Sequence, residues 1–80
     1  MEPFKIIVPN NAEPAPFSHE GEEFNYLLKG KANMIVNGTI FEMKEGDSIY
    51  FDSSLPHYAV ATENKEAVFL LVNTSKKNIT

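Results

Sequence analysis

His19 and His57 are the only imidazoles in the 80-residue chain, and each sits where it could join other polar groups. His19 opens the run His19-Glu20-Gly21-Glu22-Glu23, where Gly21 permits a tight reversal. A loop that folds back there turns His19 and Glu23 the same way. His57 follows Pro56, in a turn that leads into a β-rich run. Two imidazoles and one carboxylate form the facial donor set that holds Fe(II), Mn(II) or Zn(II) and leaves positions open for substrate or water. By spacing alone, two plainer readings stand beside this one. The acidic run also reads as a solvated loop, and His57 as a turn or barrel-rim histidine bonded to backbone. Glu22 and Glu23 are adjacent, so in a strand they diverge to opposite faces and make no carboxylate pair. There is no G-x-S-x-G elbow and no P-loop, and no spacing supports a Ser/His/acid triad.

Composition narrows the chemistry. Cysteine is absent, so there is no disulfide, no thiolate site and no cysteine nucleophile. Any metal is held by His, Asp, Glu or water. The lack of cysteine fits a reducing, cytoplasmic setting. The net charge is −4, with seven lysines, no arginine and eleven acids. That balance argues against direct nucleic-acid binding, which needs clustered cations. It also removes the usual bidentate clamp for phosphate or carboxylate. No apolar run reaches the roughly 18 residues of a membrane span, and residues 1–11 lack the basic start of a signal peptide. The N-x-S/T triplets at Asn37, Asn73 and Asn78 then read as chance. Eighty residues make one domain, and one that buries only about 60% of its unfolded surface. A metal, a ligand or a second copy would add needed stability.

The elements that must position these side chains read as short strands. β-rich runs cover Phe4–Val8, Phe24–Leu28, Lys31–Val36, Thr39–Met43, Ser48–Phe51, His57–Ala61 and Ala67–Asn73. Pro9–Pro16 is a proline-rich loop, in which helix is excluded. Asn37-Gly38 between two β-rich runs predicts a hairpin, since both turn positions need positive φ. Lys44–Asp47 and Asp52–Pro56 read as turns, the second capped by Asp52 and Ser53. No long stretch has a 3.6-residue apolar period. Strands every 8–12 residues imply an all-β barrel or two-sheet jelly roll. The domain then spans 1–80: an N-terminal strand and loop over 1–16, a barrel core over 17–73 and a tail over 74–80. If Glu23 points inward, so do Asn25 and Leu27, while Phe24, Tyr26 and Leu28 form an opposite face too apolar for water. That face calls for cover by the N-terminal strand, a second subunit or both. Asn25 inside the barrel is either bonded to a neighbour or in contact with a ligand.

The segment from His19 to Gly30 resembles the first motif of the cupin superfamily: a His, three residues, a Glu, six residues and a Gly. Gly46 to His57 is similar to the second motif. Together they carry a resemblance over Phe4 to Asn73, and within the superfamily the wording is similar to the sensory C-terminal domain of Xre-type helix-turn-helix regulators. The resemblance implies a small antiparallel β-barrel, a double-stranded β-helix. It assigns His19, Glu23 and His57 as ligands of a divalent metal (Fe, Mn, Ni or Zn), with no nucleotide cofactor. Phe17 stands where the family has the first His of an HxH pair, which leaves at most three protein ligands. Glu45 stands where relatives often have Pro, and Gly30 and Gly46 match structural glycines.

Three functions follow from this resemblance as expectations. The first is a sensory module that binds a small organic ligand, with Phe17, Asn25, Leu27 and Asp52 as contacts. The second is a metal-dependent enzyme of the dioxygenase, isomerase or decarboxylase kind. The third is a homodimeric interaction module without a ligand. A filled lumen would favour the third and an apolar cavity the first.

Overall fold

Seven strands form among the described residues, which are 2–11, 13, 15, 16 and 18–74 of a computed structural model. They are β1 (Glu2–Val8), β2 (Glu22–Lys29), β3 (Lys31–Val36), β4 (Thr39–Lys44), β5 (Ser48–Asp52), β6 (His57–Ala61) and β7 (Ala67–Thr74). Each lies where a β-rich run predicts it, and β3 and β6 coincide with their runs. Asn37 and Gly38 have φ of 50° and 84°, the primed-turn geometry that matches the twist of the flanking strands. No described residue is helical, so no helix is long and apolar enough to cross a membrane.

The strands form two antiparallel sheets, in the orders β1-β7-β2-β5 and β4-β3-β6. This is the all-β jelly-roll architecture expected. Register decides what faces inward. Glu23 lies opposite Phe51 on β5 and Asn73 on β7, and Leu27 opposite Phe69. In the other sheet Met34 lies opposite Phe41 and Ala59, and Val36 opposite His57. Along β2, buried Glu23, Asn25 and Leu27 alternate with Phe24, Tyr26 and Leu28, as the period of two requires. Leu27, Ala32, Met34, Val36, Met43, Ala67 and Phe69 form the core between the sheets. Burying a side chain such as Leu27 or Phe69 is worth about 1.5–3 kcal/mol each.

The outer face of the four-stranded sheet is apolar, with Phe24 flanked by Tyr50 and Val72, and Tyr26 beside Leu70. Of the two covers expected for it, the N-terminal strand is not one. β1 pairs edge-on with β7 over its whole length and extends the sheet in its own plane. A β-rich run predicts a strand but not which edge it joins. Ser53 also departs from expectation. Its hydroxyl is buried and has no partner among the described residues, and Asp52 alone caps the turn.

Candidate metal centre and chamber

Main-chain bonds bring the two histidines together. The His19 N–H donates to the Ser53 carbonyl (2.9 Å) and the Ser53 N–H to the Gly21 carbonyl (3.0 Å). These zip the 18–21 loop onto the 52–56 turn that precedes β6. His57 begins β6, and Glu23 is the second residue of β2, so three elements each deliver one side chain to one end of the barrel. His19, Glu23 and His57 each offer a donor atom, and these all lie within 4.8 Å of one another. Glu23 is only 3% exposed, so it is not part of a solvated loop, and His57, only 2% exposed, is bonded to backbone as its plainer reading expects, through Nδ1. His19 is partly exposed and leaves a side open to solvent.

The geometry around Glu23 fits a cation. Its Oε1 is 3.2 Å from His19 Nε2 and 3.2 Å from His57 Nε2. Two donors each bound at about 2.1 Å to one ion, at right or tetrahedral angles, sit roughly 3.0–3.4 Å apart. The tautomer agrees. His57 Nδ1 is 2.7 Å from the Leu55 carbonyl, which can only accept, so Nδ1 carries a proton and donates. In the neutral ring the Nε2 lone pair then faces a carboxylate oxygen, a contact that a cation or a proton must bridge. The other carboxylate oxygen, Oε2, accepts from Asn25 Nδ2 at 2.7 Å. Backbone bonding of a ligand's second nitrogen and an amide bond to a ligating carboxylate are the outer contacts that orient metal sites. The Phe51 and His19 rings stand edge-on to His57, with centroids 5.0 Å and 5.6 Å away.

A cavity of about 220 Å³ adjoins this cluster, between the sheets. Glu23, Asn25 and His57 line one end. Ile6, Val8, Met34, Ala59, Phe69 and Leu71 line most of the rest, and exposed Glu13 and Ala15 stand at the mouth. The described residues therefore do not fill the lumen.

The expected site residues divide. His19, Glu23 and His57 come together. Asn25 lines the cavity, with its amide donated to Glu23. Leu27 is wholly buried in the core and is not among the cavity-lining residues. Asp52 pairs across the sheet with Glu22 rather than with an inward residue. Its carboxylate accepts from the Ser54 N–H (3.0 Å) and hydroxyl (2.8 Å), so it serves the turn. Both placements have one cause: motif position does not say how deep in the barrel, or on which face, a side chain ends. Phe17 lies outside the described residues. Asn73 was missed. It sits opposite Glu23 on β7, and its buried Oδ1 has no donor among the described residues. Only the cross-strand register could have revealed it.

Comparisons with known proteins agree with the fold. The cupin domain family matches residues 4–73. A Methanocaldococcus jannaschii protein, the uncharacterized MJ1618, is 35% identical over 54 residues; the match spans 66% of this chain and 43% of that protein's length. A predicted oxalate decarboxylase from Thermotoga maritima is similar in structure, with a TM-score of 0.76 and 31% identity, over 86% of this chain and 61% of its own. Fe(II) HppE in complex with substrate has a TM-score of 0.81 and 25% identity, over 90% of this chain and 44% of its own. A Bacteroides fragilis cupin, at 20% identity and a TM-score of 0.78 over 98% of this chain and 68% of its own, shows the fold alone. With the family match spanning nearly all of the strands, this chain belongs to the cupin domain family.

Proposed function

We propose that this cupin domain binds a divalent transition metal through His19, Glu23 and His57 and uses it, with the adjoining cavity, to bind a small organic molecule. One observation carries the metal reading: Glu23 Oε1 lies 3.2 Å from two imidazole nitrogens, and on His57 the second nitrogen is already committed as a donor. A metal held there supplies Lewis acidity and open coordination positions. The chain's own residues do the rest. Asn25 fixes the carboxylate, Leu55 fixes the His57 tautomer, and the apolar cavity wall excludes water from whatever enters.

The sensory role is supported by the resemblance of the His19–Gly30 and Gly46–His57 segments to regulator C-terminal domains, and by a cavity where an interaction module would be filled. The domain acts on this reading as a homodimer, paired through the apolar outer face that β1 leaves uncovered. A second reading, a metal-dependent enzyme, is favoured by a donor set of three that leaves positions for substrate, and by likeness to Fe(II) HppE and the predicted oxalate decarboxylase.

Calorimetric titration with Zn(II), Mn(II) and anaerobic Fe(II) tests the metal reading. One ion per chain is expected, with binding lost in Glu23→Gln. Binding that survives Glu23→Gln contradicts it. Substrate-dependent O₂ uptake by the Fe(II)-loaded protein would decide for the enzyme over the sensor.

A further inference from the structure

The cavity wall also restricts the ligand. Among its described lining residues the ionisable groups are Glu13, Glu23, His57 and Tyr58, and none is a lysine. The whole chain has no arginine. An anionic group away from the His19–Glu23–His57 end would meet Ile6, Met34, Ala59, Phe69 and Leu71, with no counter-charge among the described lining residues. Desolvating an unpaired carboxylate against such a wall is strongly unfavourable. Size limits the ligand too. A cavity of about 150 Å³ accommodates benzene, and drug-sized ligands need about 300 Å³ or more. At about 220 Å³ this one suits a ligand between them.

We propose that the cavity selects small, mainly apolar molecules with one polar head group at the His19–Glu23–His57 end, and rejects molecules carrying a second anionic group. The placement of the head rests on the metal reading above, whereas the rejection rests on the cavity wall. It follows that dicarboxylates long enough to place their second carboxylate against that apolar wall are not ligands of this chain.

Met34 provides a probe, because it lines the cavity while Met43 is buried elsewhere in the core. The experiment uses the full chain with ¹³C-labelled methionine methyls, assigned with Met34→Leu. The zinc-loaded protein is titrated with valerate and with glutarate, which differ by a methyl replaced with a second carboxylate. The metal-free protein is titrated with benzyl alcohol. Valerate should shift the Met34 methyl and bind at least tenfold more tightly than glutarate, and benzyl alcohol should shift Met34 but not Met43. Ile6 is partly exposed where it lines the cavity, so Ile6→Lys should tolerate the charge and raise glutarate affinity at least threefold. Glutarate binding as tightly as valerate to the unmodified chain would overturn the proposal, as would a Met34 methyl that no probe moves. Failure of zinc to bind, with benzyl alcohol still shifting Met34, would overturn the metal reading and leave the apolar selectivity supported.

Discussion

His57 Nδ1 donates to a carbonyl, and this leaves Nε2 to face Glu23. His57→Ala should therefore weaken metal binding by more than about 100-fold, whereas Asn25→Ala, which removes an orienting contact, should weaken it by about 10–100-fold. Calorimetric titration of the two variants checks that order, and an Asn25→Ala loss as large as that of His57→Ala would contradict it. Asn25→Ala should also lower stability by about 1–3 kcal/mol, since Glu23 Oε2 stays buried without its donor. A separate pair reports on the outer face. The Tyr50 hydroxyl donates to Glu22, and this hydrogen bond holds the phenol above its ordinary titration range near 10. A folded value above the unfolded one means that the pair's small stabilisation is present below pH 10 and lost as pH rises through the folded value. Ultraviolet titration should show Glu22→Gln lowering the Tyr50 value. The ligand types were legible in the sequence because the two motifs carry them. So was the inward course of Asn25 with a bond to a neighbour, though not which neighbour; the place of Asn73 was not, because it depends on what lies across a strand.

Two turns with glycine at positive φ should respond differently to the same substitution. Gly38 is at φ 84° with open space where a Cβ would go, so Gly38→Ala costs only backbone strain, about 1–2 kcal/mol. Gly30 is at φ 88°, and a Cβ there would lie 2.8 Å from the Glu66 carbonyl oxygen, in the segment leading into β7. Gly30→Ala adds overpacking to strain and should cost about 2–5 kcal/mol. Urea denaturation of both variants checks the order, and equal losses would contradict it. The Gly30 N–H also donates to the Glu45 carboxylate at 2.9 Å, so the residue that departs from the family's usual Pro ties two turns together. Strand positions and the Asn37-Gly38 hairpin could be read from alternation and turn chemistry. The course of β1 along β7, and the bulge at Leu28 between Leu27 and Lys29, could not. Both depend on pairing between segments some forty to seventy residues apart, which no local pattern encodes.

The whole domain is small, and its two sheets leave Phe24, Ile7 and Tyr50 partly or largely exposed. Pairing through the outer face would bury Phe24 and Tyr50, and sedimentation equilibrium should give twice the 9.0 kDa chain mass. Phe24→Glu should return the chain to a monomer with its metal site intact. A monomer in the unmodified protein would contradict the pairing. Bound metal should act on the whole molecule as well, because it joins a loop, β2 and β6, and stabilises by RT ln(1 + [L]/Kd), about 4 kcal/mol at 1,000 times Kd. The central claim is that His19, Glu23 and His57 hold a metal, and thermal unfolding of the full chain with saturating Zn(II) or Mn(II), then with excess chelator, tests it most directly. A melting temperature several degrees higher with metal, reversed by chelator and absent in Glu23→Gln, is the result expected. Identical unfolding curves with metal and with chelator would contradict it.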